Sequence, residues 1–309
     1  MKKYVSIILT LLIVTFSCKE KMESKKNNVV SAEDLKGTVQ KLNQSLIEAA
    51  KDKDFSKIID LYMDEAIVLA EYNPLIDGKK QIENYYTEVF KKQNIEAYQK
   101  ETEELFDFGE TVLEIGNFKK KFSDKKYYEG KYFNVWKYKN DGNLLLKAEA
   151  FGYYHPIDTP ANLRVLSIEE ESLGLMPRKG KKIPLELDAY DALNENCVRD
   201  RDTKKLIETY TEDATYYPFA NTKKDGIENL KKHFIDYHKN PVKIDSIQVW
   251  TYDYEKVSDG IIQYSKFYVQ WTVPGFTGNT QGTGLIFYKR REDNSLKIHR
   301  QIGLHIYNE

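Results

Sequence analysis

The chain has 309 residues, of which 41% are hydrophobic and 13% aromatic, and its formal net charge at pH 7 is −1. It is long enough for two domains with packed cores, and it lacks the basic field that attracts nucleic acid. We therefore expect a globular protein with no nucleic-acid partner.

The first 17 residues have the three-part layout of a secretory signal peptide. Lys2 and Lys3 precede an apolar run from Tyr4 to Phe16, and the small residue Ser17 stands immediately before Cys18. The run is shorter than the roughly 20 apolar residues that span a bilayer. The segment therefore predicts export followed by cleavage.

Thr15-Phe16-Ser17-Cys18 resembles the lipobox of bacterial lipoproteins, whose cysteine is diacylated before the signal peptide is removed. The resemblance implies a signal peptide at residues 1–17, and a lipidated Cys18 with a flexible tether at residues 18–33. It also implies a place in the bacterial cell envelope, where the membrane is contacted through lipid alone. The charged residues Lys19-Glu20-Lys21 after the cysteine favour the outer over the inner membrane. Because Thr15 and Phe16 depart from the usual lipobox, a secreted protein with an incidental cysteine is the alternative.

The remainder of the chain contains the same unit twice. The segment from Ile59 to Ala66 matches the segment from Ile207 to Ala214 at an offset of 148 residues, and Gly130 matches Gly282 at an offset of 152. A duplication explains both offsets. We predict domains at residues 34–155 and 185–309, joined by a linker at residues 156–184 whose basic run, Arg178 to Lys182, is a solvated loop.

Each half has the same predicted order of elements. In the first, apolar residues recur at helical spacing from Leu35 to Ala49, and a second helical run spans Ile58 to Tyr62. A strand follows Ala66, and Asp77-Gly78 introduces a third helix from Lys79 to about Lys92. The rest alternates and is rich in aromatic and β-branched residues, which predicts an antiparallel meander.

This order resembles the nuclear-transport-factor-2-like superfamily, and more narrowly its SnoaL-like branch. The matching residues are Tyr62, Glu65, Ala66 and Gly78 in the first half, and Tyr210, Asp213, Ala214 and Gly226 in the second. The resemblance implies an α+β fold of two tandem cone-shaped domains, each with three helices packed on a curved antiparallel sheet around a pocket. The superfamily includes isomerases, cyclases, dehydratases and members without chemistry, so the fold leaves the activity open.

Strict alternation along the last strand of the second half gives Arg300 the same face as Ile298, Ile302 and Leu304. A guanidinium in an apolar cavity needs an anionic ligand or an acidic partner, such as Asp213. We predict that Arg300 binds a ligand, with a structural ion pair as the alternative.

The remaining predicted ligand-binding residues are mostly aromatic. They are Tyr72, Tyr85, Tyr86, Tyr217, Trp250 and His233. Aromatic walls with hydroxyl groups suit a flat, moderately apolar ligand. For each of these residues a plain role in the core is the alternative.

An acidic base in the pocket is what the isomerases and cyclases of the superfamily require. Strict alternation turns Glu149 to the face opposite Ala148 and Ala150, so no base is predicted. The five histidines lack metal-site spacing. We expect no catalytic residue, metal or cofactor, and a protein that binds a small ligand or an envelope protein.

The alternative is a SnoaL-like isomerase, cyclase or hydrolase. A pocket carboxylate within hydrogen-bonding reach of a tyrosine or histidine would favour that alternative.

The sheet face away from the helices is predicted to be aromatic, with Tyr264 and Tyr268 in the second half, and Phe151 and Tyr153 in the first. His299, Gln301 and His305 are predicted on that face too. Such a surface predicts that the halves pack sheet against sheet, as a pseudo-twofold dimer within one chain.

Overall fold

The computed structural model describes residues 32–123, 126–165 and 176–307. The predicted signal peptide and Cys18 lie outside these ranges, so their processing remains a prediction. None of the described helices has the length and apolar character needed to cross a membrane.

The first half consists of two α-helices and six strands. They are α1 (Ala32–Asp52), β1 (Tyr62–Ala70), β2 (Ile76–Asp77), α2 (Lys79–Lys92), β3 (Ile95–Asp107), β4 (Thr111–Phe122), β5 (Tyr127–Tyr138) and β6 (Leu144–Tyr153). The predicted second helix is reduced to two 3₁₀ turns, at Phe55–Lys57 and Ile59–Leu61. Tyr62 begins β1 instead of ending a helix.

The second half has the same order with all three helices. Its elements are α3 (Leu185–Arg199), α4 (Thr203–Ile207), β7 (Tyr210–Tyr217), β8 (Lys224–Asp225), α5 (Ile227–His238), β9 (Lys243–Val257), β10 (Gly260–Val273), β11 (Phe276–Arg290) and β12 (Leu296–His305). Asp202 caps α4 by accepting a hydrogen bond from the Lys205 amide. Gly78 and Gly226 precede α2 and α5 with φ of 87° and 77°, values that favour glycine.

Each half forms a six-stranded sheet. The strand orders are β2-β1-β6-β5-β4-β3 and β8-β7-β12-β11-β10-β9. The meander of the last four strands is antiparallel, as predicted, but β1 and β7 run parallel to β6 and β12. Each sheet is therefore mixed.

The three largest apolar cores among the described residues hold the two halves together. One lies between α1, α2 and the first sheet, and another between α3, α4, α5 and the second sheet. The third joins the two sheets face to face and includes Ile67, Phe133 and Ala150 from the first half, and Tyr217, Phe287 and Leu304 from the second. The face of each sheet that its own helices leave uncovered is thus buried against the other sheet.

A β-bulge in β6 reverses the predicted alternation of side chains. Trp136 pairs with Leu146 while its neighbour Val135 pairs with Ala148, so Lys147 is an extra residue. Leu146 therefore faces the helices, whereas Ala148 and Ala150 face the other sheet.

The second sheet has the same bulge at His299. Tyr288 pairs with Ile298, whereas Phe287 pairs with Arg300. Ile298 faces the helices, and Ile302 and Leu304 face the other sheet. The predicted outward faces of β6 and β12 are therefore wrong after the bulge: Phe151, Tyr153 and Gln301 belong to the helix side.

Ion pairs around the intersheet core link the two halves. The Arg300 guanidinium binds the Glu104 carboxylate, with Nη2 2.6 Å from Oε2. Arg178 binds Asp77, and its Nη1 lies 3.0 Å from Asp253 Oδ2. Arg178 is thus part of this contact and not of a solvated loop. An apolar centre with a charged rim is typical of protein interfaces.

Candidate functional site

The main cavity of the first half lies between α1, α2 and the helix-covered face of the first sheet. About 40 Å³ of it is open to the centre of a water molecule, which is room for about three waters, so a larger ligand would have to displace lining side chains. Its walls are largely aromatic, and its charged lining residues are Glu71, Lys100, Lys120 and Glu149. Aromatic walls with a few converging charged groups are the composition of a small-molecule site.

Glu149 lies in this cavity and is 6% exposed. Its Oε2 accepts a hydrogen bond of 2.9 Å from the Tyr62 hydroxyl and another from the Tyr86 hydroxyl. Burial and then the Glu149 charge raise the pKa of both phenols well above the ordinary value, so both remain donors. The prediction that Glu149 faces away was wrong, because the bulge at Lys147 turns the later part of β6 over.

Lys120 projects from β4 into the same cavity. Its Nζ lies 4.6 Å from the ring centroid of Tyr98, 5.0 Å from that of Phe118 and 5.4 Å from that of Phe151. Contacts of this length are cation–π interactions. Burial among these rings lowers the pKa of Lys120 to about 8.

Lys100 is the second ammonium group in the cavity, and its Nζ lies 4.0 Å from the centroid of the Tyr132 ring. Burial lowers the pKa of Lys100, while Glu149 and Glu114 oppose that shift. The Lys100 charge contributes in turn to the lowered pKa of Lys120. The cavity thus holds two lysine ammonium groups together with the carboxylates of Glu71 and Glu149.

Glu71 lines another part of the cavity and is 2% exposed. Its Oε2 accepts a hydrogen bond of 2.9 Å from the Tyr153 amide and lies 3.9 Å from Lys131 Nζ. Burial raises the pKa of Glu71 and lowers that of Lys131. Lys131 also donates to the Pro218 carbonyl at 2.9 Å, which ties this wall to the second half.

Glu114, on β4 next to the cavity, is fully buried. Its two oxygens accept hydrogen bonds of 2.6 to 3.0 Å from Asn43, Thr102, Tyr132, Asn134 and Trp136. Five donors compensate the carboxylate for the loss of water. The network joins α1 to β3, β4 and β5. It also holds Tyr132 in place, and Lys100 Nζ lies over the Tyr132 ring.

The second half has different side chains at the corresponding positions. Gln301 stands where the repeat offset places Glu149, and its amide oxygen accepts a hydrogen bond of 2.7 Å from Tyr210, the counterpart of Tyr62. Phe234 replaces Tyr86, and the Tyr216 ring stacks on it at 5.8 Å. The carboxylate of the first half has therefore become an amide in the second.

Two predicted ligand residues, Tyr85 and Tyr86, line the cavity. Tyr72 instead joins the two halves, because its amide donates to the His305 carbonyl at 2.7 Å. Tyr217 lies in the intersheet core and packs on Phe133 at 5.2 Å. Neither of these two tyrosines lines the main cavity.

The other three predicted ligand residues also lie elsewhere. Arg300 binds Glu104 between the halves, because the bulge turns it away from α5. His233 packs against the Phe234 ring at 5.4 Å, and burial lowers its pKa. Trp250 on β9 pairs with Lys266 on the neighbouring strand β10.

Sequence reasoning missed Tyr62, Lys100, Lys120 and Glu149. Comparing the two repeats could have pointed to Tyr62 and Glu149. Tyr62 is a tyrosine in both copies (Tyr210 in the second), whereas Glu149 corresponds to Gln301.

In each half, a helix precedes the first strand, a second helix follows the short strand, and a four-stranded meander returns beside the first strand. The cavity lies between the helices and the sheet. Each half has the nuclear-transport-factor-2-like fold.

Solved structures with this fold match one such domain at a time. A ketosteroid isomerase-like protein from Erwinia carotovora is 15% identical, with a TM-score of 0.37, over 40% of this chain and 96% of its own. An NTF2-like protein from Cytophaga hutchinsonii is 18% identical, with a TM-score of 0.33, over 38% and 95%. ActVI-ORFA from Streptomyces coelicolor is 19% identical, with a TM-score of 0.33, over 39% and 95%. These likenesses concern the fold alone.

No family model matches the sequence, and no curated protein matches it.

Proposed function

We propose that the first nuclear-transport-factor-2-like domain binds a small aromatic anion in its main cavity. The observation that carries this proposal is the Lys120 ammonium, held over three aromatic rings beside a second cation, Lys100. An anionic group on the ligand would add to the Glu149 charge in offsetting the cost of burying two positive charges. Aromatic walls would stack on the ligand's ring.

The second domain serves the first as a structural partner in this proposal. Its Gln301 cannot take part in proton transfer as a carboxylate does, and Tyr216 stacks on Phe234 close to it. A methyl group placed on Gly303 would lie 3.2 Å from the Tyr216 hydroxyl, so this ring fills the space beside β12. Because the Tyr216 side chain already fills this space, a packing role is favoured over ligand binding in the second domain.

Lys120→Met is expected to weaken the binding of 2-naphthoate, a small aromatic anion, by roughly tenfold or more, as the loss of a charged contact typically does. Isothermal titration calorimetry of the mature chain measures this change. Lys119→Met is the matched control, because Lys119 is the preceding residue on β4 and forms an exposed ion pair with Glu129 at 2.7 Å. Equal losses in the two variants, or equal affinity of wild type for neutral 2-naphthol, would contradict the proposal.

Acid–base catalysis is a second candidate function of the same cavity. A carboxylate within hydrogen-bonding reach of tyrosines is the feature that favours an isomerase or cyclase over a binding protein, and Glu149 with Tyr62 and Tyr86 has this arrangement. In this alternative Glu149 accepts a proton from the ligand, and the tyrosines orient the carboxylate. Conversion of a bound ligand, in place of its unchanged release, would favour this function.

We also propose that lipid on Cys18 holds the protein in the bacterial envelope. The support is the apolar run before Cys18 in the sequence. Cys18→Ala should abolish labelling by a clickable palmitate analogue and leave the precursor uncleaved by lipoprotein signal peptidase. Gel fluorescence of labelled cells measures both results, and Cys197→Ala is the control because Cys197 is buried in the second domain. Unchanged labelling of the Cys18 variant would show that the cysteine is incidental.

A further inference from the structure

We propose that Lys120 captures small carbonyl compounds as a Schiff base, so that the ligand of the first domain is an aromatic aldehyde or ketone with an acidic group. The proposal rests on the ligand cavity proposed above and adds a covalent step to it. It follows from the contrast between Lys120 and the two lysines that flank it on the same strand.

Lys119 and Lys121 are ordinary surface lysines. Lys119 Nζ lies 2.7 Å from Glu129, and Lys121 Nζ lies 2.7 Å from Glu96. Each hydrogen bond, with its partner's charge, raises the pKa of the lysine. Both amines are therefore held in the protonated form, which is not nucleophilic.

Lys120 has the opposite surroundings, because alternation along β4 turns it inward. Among the described residues no carboxylate forms an ion pair with it, and three aromatic rings surround its Nζ. Burial lowers the pKa of Lys120 to about 8, with the Glu149 charge opposing this shift and the Lys100 charge adding to it, so about a tenth of Lys120 is the free amine at pH 7. A desolvated lysine beside another cation is a typical Schiff-base nucleophile.

The cavity also holds groups that can move the protons of this reaction. The neutral Lys120 amine attacks the carbonyl carbon; as the carbon–nitrogen bond forms, the carbon–oxygen double bond becomes single, nitrogen loses one proton and oxygen takes one up. Oxygen then takes up a second proton, the remaining carbon–oxygen bond breaks and water leaves, while nitrogen loses its other proton as the double bond to carbon forms. Lys100 can donate to the oxygen and Glu149 can accept from nitrogen, since both line the cavity. The step needs no oxidant or reductant.

The experiment exposes the mature chain in detergent to 4-formylbenzoate and sodium cyanoborohydride, which reduces any Schiff base to a stable amine. Peptide mapping by mass spectrometry then follows the modification of each lysine on β4. We expect Lys120 to be modified at least tenfold faster than Lys119 or Lys121, which serve as internal controls. An excess of 2-naphthoate should slow the modification of Lys120 alone.

Lys120→Arg separates this inference from the proposed function. The variant keeps the positive charge, so it should still bind 2-naphthoate, but arginine forms no adduct under these conditions. Modification of Lys120 no faster than that of its neighbours would overturn the inference while leaving 2-naphthoate binding intact. If the wild-type chain does not bind 2-naphthoate, the proposed function of the cavity is overturned as well.

Discussion

Ala150→Glu should lower the free energy of unfolding by more than about 4 kcal/mol, which corresponds to a fall of roughly 10 to 15 °C in the melting temperature. Ala150 is fully buried in the intersheet core, where it pairs with Leu69 and Phe133. A carboxylate there would be buried without a cation, and the two sheets would have to separate to hydrate it. Circular dichroism melts of the mature chain measure the change.

The matched control is Ala97→Glu, the same substitution at a half-exposed position on β3. Its effect should stay within about 0.5 kcal/mol, as for most surface changes. The wild-type chain should melt in one transition, because both domains contribute to the intersheet core. Two well-separated wild-type transitions, or equal melting temperatures for the two variants, would show that the domains do not depend on each other.

Glu114→Leu should lower the free energy of unfolding by about 3 to 5 kcal/mol, the usual result of removing one partner from a buried charged network. The donors that Glu114 satisfies would be left buried without an acceptor. Urea denaturation monitored by tryptophan fluorescence measures the loss, since Trp136 belongs to the network.

Two further variants make this result specific. Glu114→Gln keeps one acceptor oxygen and nearly the same shape, so it should lose less stability than Glu114→Leu. Glu129→Leu removes an exposed carboxylate that forms an ion pair with Lys119 on the neighbouring strand, and its cost should be below about 1 kcal/mol. If Glu114→Leu were as mild as Glu129→Leu, the network would be dispensable for folding.

The fold class and the order of elements could be predicted because periodicity and duplication are properties of the sequence itself. The internal match between Ile59–Ala66 and Ile207–Ala214 fixed the number of copies. The second helix of the first half was predicted too long, since tertiary pairing draws Tyr62 into β1 beside Leu146. Local propensity does not include such pairings.

The site was predicted less well because one bulge changes the face of every residue after it. In β6, Leu144 and Leu146 contact the helices and Ala148 and Ala150 contact the other sheet, so apolar residues alternate without a visible break. Both faces of the strand are buried, and alternation then says nothing about which face is which. For this reason Glu149 was predicted to face away from the pocket but lies in it. Arg300 was predicted to lie in a pocket but binds Glu104 between the halves.

Lys120 was hidden in a different way. Three successive lysines, Lys119 to Lys121, have the pattern of a solvated charge run, and nothing local to them predicts that the middle one is surrounded by aromatic rings. Tyr85 and Tyr86 were found because the inward face of a helix is visible in its spacing.

The covalent link between the two domains has an evolutionary consequence. In a dimer of identical chains, a substitution that alters one cavity alters the other, so a change such as carboxylate to amide would remove both copies of the site at once. A tandem duplication frees each position to vary by itself. Here Glu149 and Gln301 differ while the bulges at Lys147 and His299 are both kept. Selection could thus preserve the surface that joins the copies and still let their interiors specialise separately.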